Sequence, residues 1–440
     1  MLLLEAHAAC AVQEDLSGGR LRFGRWVPQA RKCKRDGAAR KGSGAALPLT
    51  APRMLRAFNE SLDSFVEHAV RRSYEDVTYA KAAKRCNAVK QEAKQVLHQP
   101  SVHPEVQPSC RDWPRLGSLG VRLIIGVMSA PLAQQRRAAI RRSWSKVHTT
   151  NSSLACFVVG SAGAGVPFEV RERLVQENDM HDDLVLLPGV EDGNCHMTIE
   201  KAHAWWAWAA ATSVPYIART DDDSFVHLQR LEAAISRLAP CYTRLVFGMI
   251  AYVGYDPSKF RKCGYAWGSD RAWRRYGCGA GGAHLPVLFP SGMLQVLSLP
   301  VVQAVAKHGL VQEFVRRSKE LVELTDWDRT EDVALGWWLT QMLISGERYG
   351  GETAAWGTGV KGTASNGRAS SPVLSFVRAH TSQLHNLGCQ KHENFYKHPM
   401  PTSMVIHYVK KPSGMDYLRK VLHEGEPHSG EACTRSAGVG

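Results

Sequence analysis

The sequence predicts an α/β protein, a doubly wound and mostly parallel sheet flanked by helices, preceded by a basic, partly helical extension. Three observations carry that prediction. From Val121 onward, short apolar runs rich in β-branched residues alternate with helical patterns, the signature of βαβ units. The fourth run leads straight into three acids in "IARTDDDSFVH", residues 217–227, at the strand end where open parallel sheets bind their ligands. Composition also shifts near residue 118, from Lys, Arg, Ala and Gly to buried-strand patterns.

The bulk properties are compatible with this. The chain has 440 residues, is 44% hydrophobic and carries a formal net charge of +14, so it can bury a large core. The positive balance suits a phosphate-bearing or polyanionic partner and says nothing of the fold. The longest apolar run, "LIIGVMSAPLA" at 123–133, is too short to span a bilayer. The opening "MLLLEAHAACAVQEDL" lacks a basic segment and is broken by Glu5, so it does not read as a signal peptide; the expectation is a soluble protein or a start that is not the natural one. The 11 cysteines have no zinc-type spacing, and their odd number leaves at least one unpaired within a monomer.

Taken in order, a Lys- and Arg-rich run from Arg20 to Lys41 contains one acid, Asp36, and reads as a solvated linker or a nucleic-acid patch. Residues 53–97 read as one or two helices from their Ala, Lys, Arg and Glu content. "HQPSVHPEVQPSCRDWP", 98–114, reads as an extended linker from its prolines. The first strand is "VRLIIGVM" (121–128), followed by a helix over 133–145. Strands two and three are "LACFVVG" (154–160) and "DLVLLPG" (183–189), separated by a helix over 167–178. A helix with an unusually aromatic face, "TIEKAHAWWAWAAA" (198–211), precedes the fourth strand, "VPYIART" (214–220). The ordered motifs all lie in this second part of the chain, which argues against a nucleic-acid-binding protein.

Two stretches carry candidate chemistry. Neighbouring residues of an extended segment point opposite ways, so Asp221 and Asp223 can face one side together. An Asp-x-Asp pair at a strand end suits a hard divalent cation, Mn2+ or Mg2+; the same residues also suit a turn that caps the following helix. Downstream, "RTEDVALGWWLTQML" (329–343) places Glu331 and Asp332 at a helix start. They fit a cap and equally a carboxylate base facing the ligand cleft. Trp205, Trp206 and Trp208 fit either a packed core or a sugar-stacking face.

In order and spacing these stretches resemble glycosyltransferase family 31, the β-1,3-galactosyl- and N-acetylglucosaminyltransferases. "RRAAIRRSW" (136–144) looks like the family's R-x-x-I-R-x-T-W, with Ser143 for Thr. "FVVG" (157–160) and "ENDMHDDLVLLPGVED" (177–192) resemble its next two strand motifs. "IARTDDDSFV" resembles K-x-D-D-D-x-F-V, with Arg219 for Lys. "FPSGMLQVLS" (289–298) is a weakened Ser-Gly-Gly acceptor loop, with Met293 and Gln295 replacing the second Gly and the Tyr. "EDVALG" (331–336) and "HYVKKPSGM" (407–415) resemble E-D-V-x-x-G and H-x-V-K-x-P-x-x-M. Lys201 stands one place from the family's Thr-x-Lys position.

The resemblance implies a GT-A type catalytic domain over 119–426, a stem-like region over 1–118 and a tail over 427–440. It implies inverting transfer of galactose or N-acetylglucosamine from a UDP-sugar, with Mn2+ or Mg2+, to a hydroxyl of a glycan or glycoprotein acceptor, forming a β-1,3 linkage. An inactive glycan- or nucleotide-binding relative is the alternative, because the acceptor loop is altered. Asp332, flanked by Glu331, matches the general base. Asp223, Asp221 and His407 match metal ligands, while Asp221 and Asp222 also match groups that orient the donor. Arg137 and Arg141 lie four apart and share one helical face, which suits either contact with the nucleotide or a solvent-facing basic stripe; Arg219 is also expected to meet the nucleotide. The family acts at the Golgi membrane, which gives the expected location; no nucleic-acid partner is expected.

Overall fold

The computed structural model describes residues 78–92, 108–146, 152–161, 167–192, 198–256, 261–266, 286–320, 331–345, 374–387 and 396–426. The basic run 20–41 and the tail 427–440 lie outside these residues. Among them, no helix is long and apolar enough to cross a membrane.

Helix α1 (Tyr79–Glu92) precedes two short 3-10 turns, Cys110–Asp112 and Arg115–Gly117. The four predicted strands appear as β1 (Leu123–Met128), β2 (Ser153–Ser161), β3 (Leu184–Glu191) and β4 (Tyr216–Asp221). Between them lie α2 (Gln134–Ile140), which passes into a π turn over Arg141–Ser145, then α3 (Phe168–His181) and α4 (Thr198–Ala210). Strand β5 (Phe225–Val226) and α5 (Leu228–Leu238) follow the acids. The second half contributes β6 (Leu245–Asp256), β7 (Arg261–Ala266), β8 (Pro286–Ser298), α6 (Leu299–Lys307), α7 (Gly309–Glu320) and α8 (Glu331–Ser345). Strands β9 (Ser375–Arg378), β10 (Leu384–Leu387), β11 (Tyr396–Lys397) and β12 (Val405–His407) precede α9 (Pro412–His423).

The main sheet runs β3-β2-β1-β4-β8-β6-β7, with β9 also paired to β6. Strands β1 to β4 are mutually parallel, whereas β8 pairs antiparallel with both β4 and β6. This is the expected α/β sheet, mostly parallel and mixed at one side. The chain order reverses between β1 and β4, so the topological switch falls at the carboxyl end of β4, where ligands collect in such sheets. Asp221 ends that strand.

Strand alternation builds a core on each face. Leu123, Ile125 and Val127 join one buried cluster with Ile140, Trp144, Leu231 and Leu418. Ile124 joins the other, with Trp205, Trp206, Val301, Phe314 and Trp338. Both Trp205 and Trp206 are fully buried, and Trp208 stacks on Trp205 at 5.3 Å and on Trp113 at 6.1 Å. The aromatic face of α4 therefore packs as core.

Before the boundary expected at 118/119, the described stretches 78–92 and 108–118 pack against the sheet domain: α1 buries Ala82 and Cys86, Tyr79 meets the Phe247 ring edge-on at 6.1 Å, and Cys86 is disulfide-bonded to Cys241. Likewise Cys110 and Leu116 are buried, and Cys110 is disulfide-bonded to Cys156 on β2. The proline count of 98–114 suggests a linker, but Cys110 and Leu116, one in each of two short 3-10 turns, are buried against the core.

Candidate active site

The site begins with a turn. After Asp221 the chain reverses, with the Ser224 N–H donating to the Asp221 carbonyl at 3.1 Å. Trp144, from the "RRSW" segment, is fully buried and donates its indole N–H to the Ser224 carbonyl at 3.2 Å. The Val409 N–H donates to the Asp223 carbonyl at 2.8 Å. Strand β12 pairs antiparallel with β5 and parallel with β10 in a second, four-stranded sheet. That small sheet carries His407 across nearly two hundred residues of sequence to the acids.

Asp221, Asp223 and His407 converge there, with one potential ligand atom from each lying within 4.8 Å of the others. His407 Nε2 is 3.1 Å from Asp223 Oδ1 and 3.5 Å from Asp221 Oδ2. Its Nδ1 lies 3.0 Å from the amide oxygen of Asn386, its register partner on β10. Asn386 Oδ1 is an acceptor, so Nδ1 carries the donated proton and Nε2 faces the carboxylates. Burial alone draws the imidazole down, but Asp221 and Asp223 outweigh it and push it up to about 9. Burial would raise the Asp223 carboxyl, yet His407 and Lys410 hold it far below the usual carboxylate range. Lys410 Nζ contacts Asp223 Oδ2. Asp223 Oδ1 is buried and, despite its closeness to His407, lacks a well-angled hydrogen bond. Two carboxylates and one imidazole aimed at a common point fit a divalent cation such as Mn2+.

Asp222 faces the other way. It accepts from Arg136 at 2.7 Å and from the Ser129 hydroxyl at 3.1 Å. Burial raises its carboxyl against the opposing pull of Arg136. Arg136, a residue the sequence reading passed over, is thus a cation beside the acids, paired to Asp222.

Arg137 and Arg141 take a different position from the expected one. Arg137 is fully buried and forks onto Glu177 at 2.8 and 2.7 Å; Arg141 pairs with Glu177 at 2.7 Å and with Asp183 at 2.8 Å. They join α2 to α3 and to the start of β3, and do not face the site. Their helical spacing was a true signal of a shared face, but that face looks into the protein. Arg219 is likewise buried, at 3% exposure. It donates to Glu331 at 2.6 Å and to Asp221 at 3.3 Å.

Glu331 and Asp332 open α8 beside this cluster. Burial raises the Glu331 carboxyl; Arg219 opposes that, while Asp332 and Asp221 reinforce it. One Asp332 oxygen, Oδ1, accepts from the Val333 N–H at 2.7 Å, a helix-start contact. The bulge in β8 lies above: a side chain added at Gly292 would stand 3.4 Å from Asp221 Oδ2 and 3.5 Å from Glu331 Oε1. Lys201 is buried and held by Asp192 at 2.8 Å and by the Ser129 carbonyl, so it braces the strand ends behind the site.

In sequence the chain is similar to known glycosyltransferases. Residues 135–348 match the family model described as Galactosyltransferase, in line with the motif resemblance. Mouse (Mus musculus) beta-1,3-galactosyltransferase 6 is 30% identical over 230 residues, covering 51% of this chain and 62% of that protein. Human (Homo sapiens) N-acetyllactosaminide beta-1,3-N-acetylglucosaminyltransferase 4 is 28% identical over 132 residues, 29% of this chain and 34% of that one. The chain thus spans less than two thirds of these relatives. Among solved structures, the galactosyltransferase LgtC in complex with donor and acceptor sugar analogs aligns over 68% of this chain and 96% of its own, at 10% identity and a TM-score of 0.32.

Proposed function

We propose that this protein is an inverting, metal-dependent hexosyltransferase that moves galactose or N-acetylglucosamine from a UDP-sugar to a glycan hydroxyl, forming a β-1,3 linkage in the Golgi lumen. The observation that supports it best is the convergence of Asp221, Asp223 and His407 beside the Glu331–Asp332 helix start. Asp223, Asp221 and His407 would hold a Mn2+ ion, which offsets the charge that builds on a leaving diphosphate. Lys410 and Arg136 add positive charge beside the same acids. Asp222, fixed by Ser129 and Arg136, is assigned to orient the donor's sugar or ribose.

Inversion needs one base on the face opposite the leaving group. Asp332 is assigned that role: with Oδ1 occupied by the Val333 N–H, Oδ2 takes the proton from the attacking hydroxyl. Glu331 is assigned a bracing role, because its Oε1 is engaged by the Arg219 guanidinium. The two disulfides suit an oxidising lumen.

The test is transfer from UDP-galactose and UDP-N-acetylglucosamine, with and without Mn2+, by wild type and Asp332→Asn. Loss of the base should lower turnover by about 10²–10⁴-fold with donor binding little changed. A merely capping Asp332 would give a near-neutral Asn variant, since Asn and Asp cap comparably. Donor binding without any transfer or hydrolysis by the wild type would favour an inactive binding protein, the reading that the altered acceptor loop at Met293 and Gln295 invites.

A further inference from the structure

We propose that Arg219 is a positioning residue that ties the metal-binding acids to the helix carrying the base and to the acceptor-side bulge, with Gln295 as its partner in that bulge; this rests on the hexosyltransferase reading above. Arg219 and Asp221 lie two apart on β4, so their side chains leave the same face of the sheet. One terminal nitrogen of the guanidinium, Nη2, reaches both Asp221 Oδ1 at 3.3 Å and Glu331 Oε1 at 2.6 Å. The other, Nη1, reaches Gln295 Oε1 at 3.4 Å. A single buried cation therefore touches the metal site, the start of α8 and strand β8.

Gln295 extends the connection. It is fully buried, and its amide nitrogen donates to the Pro290 carbonyl at 2.9 Å. Pairing between β6 and β8 is regular at Gly248↔Gln295 and resumes at Ile250↔Pro290, so residues 291–294 bulge between the two ends that this hydrogen bond joins. The Thr220 hydroxyl holds the same bulge through the Met293 carbonyl at 2.7 Å. Gly292, within it, lies over Asp221 and Glu331. Arg219, acting through Gln295, thus sets the height of the bulge above the acids.

The two positions are also two of the places where this sequence departs from the resembled motifs, Arg for Lys and Gln for Tyr. The structure brings the two replacements into contact. A lysine ammonium is a point charge and cannot address two carboxylates and an amide with a rigid fork. A tyrosine at 295 has no carbonyl oxygen to offer Arg219 and no amide donor for Pro290. The pair reads as one mutually adapted unit. A direct nucleotide role for Arg219 is disfavoured by its burial at 3% exposure and by the engagement of both terminal nitrogens.

The experiment uses the full chain with Arg219→Lys, Gln295→Tyr and the double variant. Mn2+ alone is titrated by calorimetry, and turnover is followed with UDP-galactose and UDP-N-acetylglucosamine. Arg219→Lys should weaken Mn2+ binding about tenfold, as loss of a supporting hydrogen bond to a ligand does, and should lower kcat more than it raises donor KM. Gln295→Tyr alone should impair transfer, and the double variant should recover part of what the two single changes lose, a non-additivity expected of touching side chains. If Arg219→Lys does not fold, Arg219→Gln with Glu331→Gln removes both buried charges together, and it should bind Mn2+ more weakly than the wild type. Wild-type Mn2+ affinity and kcat in a folded Arg219→Lys or Arg219→Gln/Glu331→Gln protein, or strictly additive effects, would overturn the inference alone. A wild-type protein that binds no Mn2+ would overturn the hexosyltransferase reading with it.

Discussion

At the scale of single residues, the site depends on groups that hold ligands as much as on the ligands themselves. Asn386 is the example. Its amide oxygen fixes which nitrogen of His407 bears the proton, and outer partners of this kind typically govern 10–100-fold in metal affinity. Asn386→Leu should weaken Mn2+ binding by about that range, whereas Asn386→Asp, which keeps the acceptor, should not; equal affinities for both variants would remove the role. His407 gives a pH prediction for the metal-free protein. Its folded value, about 9, stands above the ordinary 6.5. Its contribution to stability is therefore complete below about pH 6.5 and disappears as pH rises through about 9. Melts of wild type and His407→Gln in chelator should differ most at the acid end of that window and converge beyond its alkaline end. A gap that widened with pH would contradict the assignment.

At the scale of elements, α4 and β1 are fitted to each other through one glycine. A side chain at Gly126 would meet the Trp205 ring at 2.4 Å, too close for any rotamer adjustment of a fully buried indole. Gly126→Ala should destabilise by about 1–3 kcal/mol, the usual penalty of overpacking, measured by denaturant unfolding. An unchanged midpoint would mean that α4 can move away. The N-terminal elements make a second case. Cys86–Cys241 and Cys110–Cys156 fasten α1 and the 3-10 turns to the sheet domain, and such cross-links are typically worth about 2–4 kcal/mol each. A chain cut to begin at residue 119 should melt well below the full chain under oxidising conditions, and reductant should close much of that difference by lowering the full chain. Equal melting of the two would return residues 78–118 to the role of a linker.

For the whole molecule, two sheets meet at one point. The large sheet delivers Asp221 and Arg219, the small one His407 and Asn386, and α8 delivers Glu331 and Asp332. A ligand bridging these parts should stabilise all of them together. UDP should raise the melting temperature only when Mn2+ is present, and saturation to about 100 times Kd corresponds to about 2.7 kcal/mol. Asp223→Asn should abolish that shift, and its ligand-free melt should itself fall because the buried His407 and Lys410 lose their carboxylate partner. Stabilisation by UDP that ignores Mn2+ would displace the metal from the proposal.

Much of this was legible in the sequence because local rules wrote it there. β-branched runs of four to eight residues located β1 to β4, and the acids at the end of "IARTDDD" located the cleft, since both follow from strand alternation and from where strands stop. Motif order was enough to single out Asp223, Asp221, His407 and Asp332. What a helical or strand period cannot state is which way a shared face looks. Arg137 and Arg141 share one, and only packing against α3 turned it inward onto Glu177 and Asp183. The same holds for Cys86, Cys110, Asn386 and Gln295, whose partners lie 21 to 155 residues away. Contacts over such separations carry no local signal, because they exist only once two sheets and their helices have closed around the site. Sequence alone determined the strands, the acids and the family resemblance; the tertiary structure decided which charges face the cleft and which hold the protein together.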